Sequence, residues 1–349
     1  ILTMTLQDLV RPNIWDLTPY TCARDEFSGE AQAWLDANEN SRILGYNRYP
    51  DPLQKHVKQR IAELRGVNPE NIFLGVGSDE CIDIAYRVFC RPGIDNVVAI
   101  EPTYGMYQVC AQVNDVEYRR AKLNDDFTLN IDSIIDACDS NTKIVWICSP
   151  NNPTANAFSI KDIKKICQRF NGITIVDEAY IDFSEAGSMV SALEEFPRLI
   201  VMQTFSKAWA SAAIRLGIAF ASTEIIGIFN KVKYPYNISL LTQQQALTVL
   251  NNAAHIKQVV AEIITARTNL AKELLALKLV KEIYPSDANF LLVKVTDADA
   301  IYQYLCQCGV VVRNRSKVAL CNNCLRITVG DDNENNLLIK MLQQYDSVK

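Results

Sequence analysis

The sequence predicts an α/β protein whose mainly parallel sheet is covered by helices on both faces, with a second, smaller unit behind it. Three observations carry this. Short apolar runs alternate with helix-like stretches, a long stretch without glycine or proline follows them, and a shorter mixed pattern closes the chain. The runs lie at 72–76, 97–100, 144–148, 173–176, 199–203 and 216–221, each bounded by glycine, proline, asparagine or charged residues that suit turns. Between them, 79–90, 104–113 and 160–170 repeat apolar residues at helical spacing. Residues 240–279 read as mostly helical and link the two parts. Beyond them, apolar runs at 290–295, 310–313 and 325–329 alternate with helix-like 297–306 and 333–344, a small α+β unit. The expected division is a large domain at 38–260, and a small domain made of 261–349 with an N-terminal arm at 1–37. Ligands of such sheets sit at the carboxyl ends of the strands, so the turns there are the candidates for chemistry.

Composition sets outer bounds. The chain has 349 residues, 49% hydrophobic and 21% charged, enough for a large core plus a second domain. A net charge of -5 offers no basic footprint for nucleic acid. The longest apolar candidate for a membrane span, 208–221, is short and is interrupted by Arg215. No signal peptide is visible, although a chain starting at Ile1 leaves its true beginning open, and a cytoplasmic location is expected. Most of the eleven cysteines, among them Cys81, Cys90, Cys148 and Cys167, lie in apolar surroundings and read as reduced core residues. Cys306 and Cys308 with Cys321 and Cys324 have the spacing of a four-thiolate zinc site, but they fall on different kinds of segment, so no metal is expected.

Three strand ends carry chemistry. After 199–203 the chain reads Thr204-Phe-Ser206-Lys207, with Arg215 eight residues beyond the lysine. A lysine there can form a Schiff base with a pyridoxal-phosphate aldehyde while Ser206 and Arg215 hold the phosphate; the plain alternative is a solvated loop lysine. After 173–176 come Asp177 and Tyr180. A carboxylate there can keep a pyridine nitrogen protonated, and Tyr180 can reach the ring's phenolic oxygen. After 144–148, Asn152 precedes Pro153 and can donate to the same oxygen, although Asx-Pro turns also occur for purely structural reasons. Gly75-Val-Gly-Ser78-Asp79 follows a strand and opens a helix, so its N–H groups can face a phosphate, or Ser78 or Asp79 can simply cap the helix.

Taken with Leu-Asp-Ala-Asn38-Glu-Asn, Asn-Arg-Tyr49-Pro-Asp, Pro102-Thr-Tyr104, Asp177-Glu-Ala-Tyr180-Ile-Asp-Phe and Cys324-Leu-Arg326-Ile-Thr-Val-Gly330, these segments resemble the class II, fold-type I pyridoxal-phosphate aminotransferases, and within them the histidinol-phosphate aminotransferases. The resemblance spans about Leu17 to Gly330. It implies a seven-stranded large-domain sheet, Lys207, Asp177 and Tyr180 as catalytic residues, and cofactor contacts from Ser78, Asp79, Asn152, Thr204, Ser206 and Arg215. Tyr104 would stack on the ring, though it would equally suit a core. Tyr49 would reach the cofactor phosphate of a neighbouring subunit, so a homodimer is implied. Tyr20, Asn38, Arg313 and Arg326 would bind substrate: Arg326 the carboxylate, Arg313 a substrate phosphate. For Arg313 alone a surface charge is the plain alternative, and Arg315 would serve as well electrostatically. Arg24, Arg119 and Arg120 read as solvated charges. The implied reaction is ping-pong transamination between L-histidinol phosphate with 2-oxoglutarate and imidazole acetol phosphate with L-glutamate, a step of histidine biosynthesis. Alternatives are an aromatic or broad-specificity aminotransferase and a threonine-phosphate decarboxylase, whereas a regulator would need a DNA-binding module, which is not expected. Two segments depart from the family pattern, in which glycines are usual where Ala210 and Ala213 stand after the lysine, with Ser211 between them, and where Ala155 follows Pro153-Thr154. If those backbones require positive φ, each alanine costs on the order of 1 kcal/mol.

Overall fold

β-Branched and aromatic runs form the main sheet in the computed structural model, which describes residues 4–27, 29 and 31–348; the remaining residues of the expected arm, 1–3, 28 and 30, lie outside that description. Its seven strands are β1 (Ile72–Val76), β2 (Asn96–Glu101), β3 (Glu117–Lys122), β4 (Thr142–Cys148), β5 (Ile173–Asp177), β6 (Leu199–Thr204) and β7 (Leu216–Phe220), ordered β1-β7-β6-β5-β4-β2-β3. The pairs from β3 through β2, β4 and β5 to β6 are parallel, and only β7 runs against both neighbours. The expected seven-stranded, mainly parallel architecture is therefore present. Its one unpredicted strand is β3, which reads Glu-Tyr-Arg-Arg-Ala-Lys and buries only Ala121 fully. It sits at the sheet edge, where a polar strand lacks the apolar run that marks a central one.

Every residue of β4 and of β6 is buried. Alternate side chains go to opposite faces, so one strand feeds two cores. Val145, Ile147, Val176 and Val201 face one core, while Ile144, Trp146, Ile175 and Met202 face the other, beside the helices Gly77–Phe89 and Thr223–Val232. Trp146 is wholly buried between Tyr86 and Tyr107, with ring centroids 5.6 Å and 4.7 Å away. Truncating it to alanine removes that stack at a cost of about 3–5 kcal/mol. Leu9 and Val10 pack into the same core, which ties the start of the chain to the sheet.

A second sheet, β10 (Arg313–Asn314), β11 (Cys324–Thr328), β9 (Phe290–Val295) and β8 (Val280–Ile283), is antiparallel throughout. Leu270, Leu274, Ile301, Leu305, Leu338 and Leu342, from the helices Ala253–Leu275, Ala298–Gln307 and Asp332–Val348, cover one face. The expected single helical stretch at 240–279 is two helices, Leu240–Asn251 and Ala253–Leu275, because Asn252 leaves helical geometry at ψ 23°. At the first sheet, Gly217 lets β7 pass directly beneath the start of the helix Gly77–Phe89: an added Cβ would lie 2.2 Å from the Ser78 nitrogen. That close approach brings the β1 and β6–β7 turns together.

Candidate active site

The turns after β1, β2, β4, β5 and β6 surround a cavity of about 650 Å³, closed on its far side by Arg313 and Arg326 from the second sheet and by Arg315 and Val318 from the connection between β10 and β11. Twelve residues expected at the site line it: Ser78, Asp79, Tyr104, Asn152, Asp177, Tyr180, Thr204, Ser206, Lys207, Arg215, Arg313 and Arg326.

The lysine comes from the end of β6. The Thr204 hydroxyl accepts the Ser206 N–H at 3.1 Å, and the Ala210 N–H closes the next turn on the Lys207 carbonyl at 3.0 Å. Lys207 therefore projects into the open cavity. Partial desolvation and then Arg326 push its ammonium pKa below the usual lysine range, opposed by Asp177. Ala210 has φ 48° and Ala155 φ 71°, so both departures do occupy left-handed backbone, whereas Ser211 and Ala213 do not.

At the next strand end, Asp177 is buried and accepts hydrogen bonds from Tyr107 Oη at 2.6 Å and from the Ala179 N–H at 3.1 Å. Burial pushes its pKa up, while the Tyr107 hydrogen bond opposes that shift. No ion pair balances it among the described residues. Such a carboxylate is costly unless a cationic donor meets it, and a protonated pyridine nitrogen is a donor of that kind. Tyr180 lies with its hydroxyl 3.5 Å from Asn152 Nδ2 and its ring 5.7 Å from Lys207 Nζ, and burial raises its pKa. The Asn152 carbonyl accepts from Arg326 Nη1, which turns the amide nitrogen toward Tyr180. Tyr104 stands edge-on to Tyr107 at 5.6 Å, and burial pushes its phenol up to about 12.

The phosphate end is built around glycine. The helix Gly77–Phe89 starts directly after β1, and its N-cap, Val76, makes no side-chain hydrogen bond, so neither Ser78 nor Asp79 caps it. Arg215 lies across this helix start, 3.3 Å from Asp79 Oδ2 and 3.4 Å from Ser206 Oγ. A Cβ on Gly77, at φ +69°, would sit 2.5 Å from Arg215 Nη2, so a larger residue would strain the backbone and push the guanidinium aside. A helix start with no side-chain cap, two hydroxyls and an arginine form a cradle suited to a phosphate dianion. With Lys207 and Asp177 at the other end, the donor set fits pyridoxal phosphate.

Tyr20, Asn38 and Tyr49 lie outside this cavity and are exposed. Asn38 and Tyr49 instead line a second hollow of about 510 Å³ beside Tyr46, Tyr236 and Leu241. Glu39 organises this part: it binds Arg24 through both oxygens at 2.6 and 2.7 Å, Arg48 at 2.6 Å and the Tyr49 N–H at 2.6 Å. Those contacts hold the Glu39 carboxyl at about 2 despite the opposing cost of desolvation. Arg24, expected to be a solvated charge, is instead drawn in, pairing with Glu39 and stacking on Trp34, whereas Arg119 and Arg120 stay at the surface in ion pairs with Glu117 and Asp139 and with Glu101. All eleven cysteines are free thiols, and no cluster able to hold a metal occurs among the described residues. The role of Tyr107 is not legible in the sequence, because an aromatic on the apolar stripe of a helix reads as core.

An α/β fold with a lysine, a buried aspartate and a phosphate cradle at one end of its parallel strands defines a cofactor-dependent enzyme of the aminotransferase type. Comparison with known proteins agrees. The family described as "Aminotransferase class I and II" matches residues 16–342, and the chain belongs to it. It is 53% identical over 338 residues to the histidinol-phosphate aminotransferase of Parabacteroides distasonis, covering 97% of this chain and 98% of that one. Its fold is similar to the crystal structure of the histidinol-phosphate aminotransferase of Clostridium acetobutylicum, with a TM-score of 0.80 at 21% identity over 87% of this chain and 92% of that one. It is likewise similar to the Sinorhizobium meliloti histidinol-phosphate aminotransferase in complex with pyridoxal-5'-phosphate, with a TM-score of 0.77 at 21% identity over 85% of this chain and 84% of that one.

Proposed function

We propose that the protein is a histidinol-phosphate transaminase of histidine biosynthesis, exchanging the amino group between L-histidinol phosphate with 2-oxoglutarate and imidazole acetol phosphate with L-glutamate. The observation that carries this reading is a cavity with Lys207 and Asp177 on one wall and three arginines, Arg313, Arg315 and Arg326, on the other, none of them ion-paired among the described residues. An amine to be exchanged thus meets the lysine while its anionic end meets guanidinium groups, whose planar fork binds a carboxylate or a phosphate ester. The full-length similarity to histidinol-phosphate aminotransferases supports the same substrate.

Pyridoxal 5'-phosphate, when bound, supplies the aldehyde that takes up the amine and the ring that stores the electron pair of the broken bond. Asp177 would hold a proton on the pyridine nitrogen, Tyr180 and Asn152 would donate to the phenolic oxygen and Tyr104 would pack on the ring, while the Ser78 and Asp79 N–H groups with Thr204, Ser206 and Arg215 would hold the phosphate. Lys207, its pKa lowered by partial burial and by Arg326, is the amine placed to remove the α-proton and return it. Arg326 takes the substrate carboxylate or its replacement, and Arg313 takes the phosphate ester.

Tyr49 reaches the cofactor phosphate of a second copy, and Tyr20 and Asn38 serve substrate there, so the working unit is a homodimer. Their position outside their own cavity supports this, as do exposed Leu35, Ile43, Leu44 and Tyr46, which leave apolar surface for a partner to cover. Residues 38–260 form the cofactor domain and 261–349 the small domain, while the expected attachment of the 1–37 arm to the small domain is corrected, since Leu9 and Val10 pack into the core of the main sheet. The enzyme works in the cytoplasm, in keeping with eleven free thiols and with no described helix long and apolar enough to cross a membrane. Glutamate formation from histidinol phosphate and 2-oxoglutarate by purified holoenzyme tests the reaction. Preference for phenylalanine would favour a broad-specificity aminotransferase, and carbon dioxide release from threonine phosphate would favour a decarboxylase.

A further inference from the structure

The register of the second sheet places three arginines together. Arg313 on β10 pairs directly with Arg326 on β11, and the Arg315 N–H donates to the Cys324 carbonyl, which continues the same ladder two residues on. Side chains two apart on an extended strand share a face, and here that face is the cavity wall opposite Lys207. The three guanidinium groups are unequal. Arg313 is exposed, and Arg326 donates to Asn152. Arg315 is partly buried, its Nε is shielded from solvent, and that nitrogen has no hydrogen-bond partner.

A shielded cation with an unused donor is unfavourable unless something completes it. Burial first, then Arg326 and Arg313, depress the Arg315 pKa to about 10. The cavity's carboxylates do not correct this, since Asp79 is engaged by Arg215 and Asp177 by Tyr107. An anionic ligand in the cavity would balance the wall, and three converging cations suit a dianion better than a single carboxylate.

We infer that Arg315 is a specificity-determining residue that donates to the dianionic end of the substrate and sets the preference for a phosphate monoester over an amino acid carrying only carboxylates. This rests on the proposed reaction, with Arg313 and Arg326 as the other two contacts. Arg313 meets the ester from the solvent side, whereas Arg315 meets it from the shielded side, where a hydrogen bond to a charged group is least weakened by water.

The test uses the holoenzyme, so that the cofactor's own phosphate cradle is filled. Two measurements are made on wild type, Arg315→Gln and Arg315→Lys: single-turnover rates with histidinol phosphate and with glutamate separately, and the dissociation constant for inorganic phosphate, read from its competition against histidinol phosphate or, without turnover, from titration calorimetry. Arg315→Gln is expected to lower kcat/KM for histidinol phosphate about ten- to hundredfold, the range of one charge-assisted hydrogen bond, and glutamate's far less. Phosphate affinity should fall in parallel. Arg315→Lys keeps the charge but loses the fork, so it should fall between the two. Equal losses with both amines, or unchanged phosphate affinity, overturn the inference. If Arg315→Gln does not fold, the same comparison on Arg315→Lys decides. Wild-type enzyme that cannot turn over histidinol phosphate would overturn the proposed reaction instead, and the phosphate titration would still read Arg315 by itself.

Discussion

Replacing Ala210 with glycine should stabilise the protein, whereas the same change at Ala155 should not. Both alanines hold left-handed backbone, at φ 48° and 71°. A left-handed L-residue costs roughly 1–2 kcal/mol, and glycine gives back about 0.4–1 kcal/mol through the greater freedom of its unfolded chain. The net gain from backbone relief is therefore about 0.5–1 kcal/mol at either site. Their surroundings differ. Ala210 is exposed, so its methyl contributes little packing, but Ala155 is wholly buried within the main core, and removing its methyl forfeits about 0.8 kcal/mol of burial before any cavity term. Ala210→Gly should gain nearly the full relief, and Ala155→Gly should come out near zero or slightly destabilised. Urea midpoints at one protein concentration and one saturating cofactor concentration measure both, because cofactor binding and subunit association would otherwise shift the apparent stability. A midpoint for Ala210→Gly below wild type would refute the strain argument. A larger gain at Ala155 than at Ala210 would refute the packing argument.

The remaining expectations concern chemistry, pH and assembly. Tyr107→Phe removes one of the two hydrogen bonds to Asp177, worth roughly 1.5–3 kcal/mol for a charged acceptor, so the Asp177 pKa in the apoprotein should rise by about one to two units. Infrared titration of the carboxyl band, assigned with Asp177→Asn, reads this, and an unmoved band would mean that the phenol only packs. Lys58 is buried near Lys233, with burial the larger cause, and its pKa falls to about 8. The unfolded chain then binds more protons than the folded one from about pH 8 up to the ordinary lysine value, so stability should rise with pH across that window and sink to its lowest contribution below it. Lys58→Met should flatten the rise and raise the midpoint at pH 7; an unchanged slope in the variant would assign the rise to other groups. Mixing Tyr49→Phe with Lys207→Ala should generate heterodimers in which one site carries both defects and the other neither. Activity should partly return, and exchange without recovery would argue against shared sites.

Residues readable from the sequence are those whose chemistry and position sit in one local segment. Asp177, Lys207 and Asn152 each close an apolar run of strand length, so the same few residues give both the fold and the side chain's place at a strand end. Gly77 is similar, since a glycine between a strand and a helix already suggests a close approach. Tyr107 lies outside this class: it occupies an apolar helix face beside Cys110 and Ala111, and only the fold, by bringing its hydroxyl to the end of β5, turns a core phenol into a donor for Asp177. The Glu39 network is hidden for a different reason, because it joins Arg24, Arg48 and the Tyr49 backbone across irregular chain that has no periodicity to read. The arginine wall shows the same limit most clearly. Alternation alone puts Arg313 and Arg315 on one face of a strand, but it cannot say whether that face meets water or a ligand. The pairing of β10 with β11 adds Arg326, and the docking of that sheet against the ends of β4, β5 and β6 sets all three cations opposite Lys207. Charge balance in the cavity thus depends on contacts between segments more than a hundred residues apart, and the imbalance left there is what the substrate's anionic end is placed to correct.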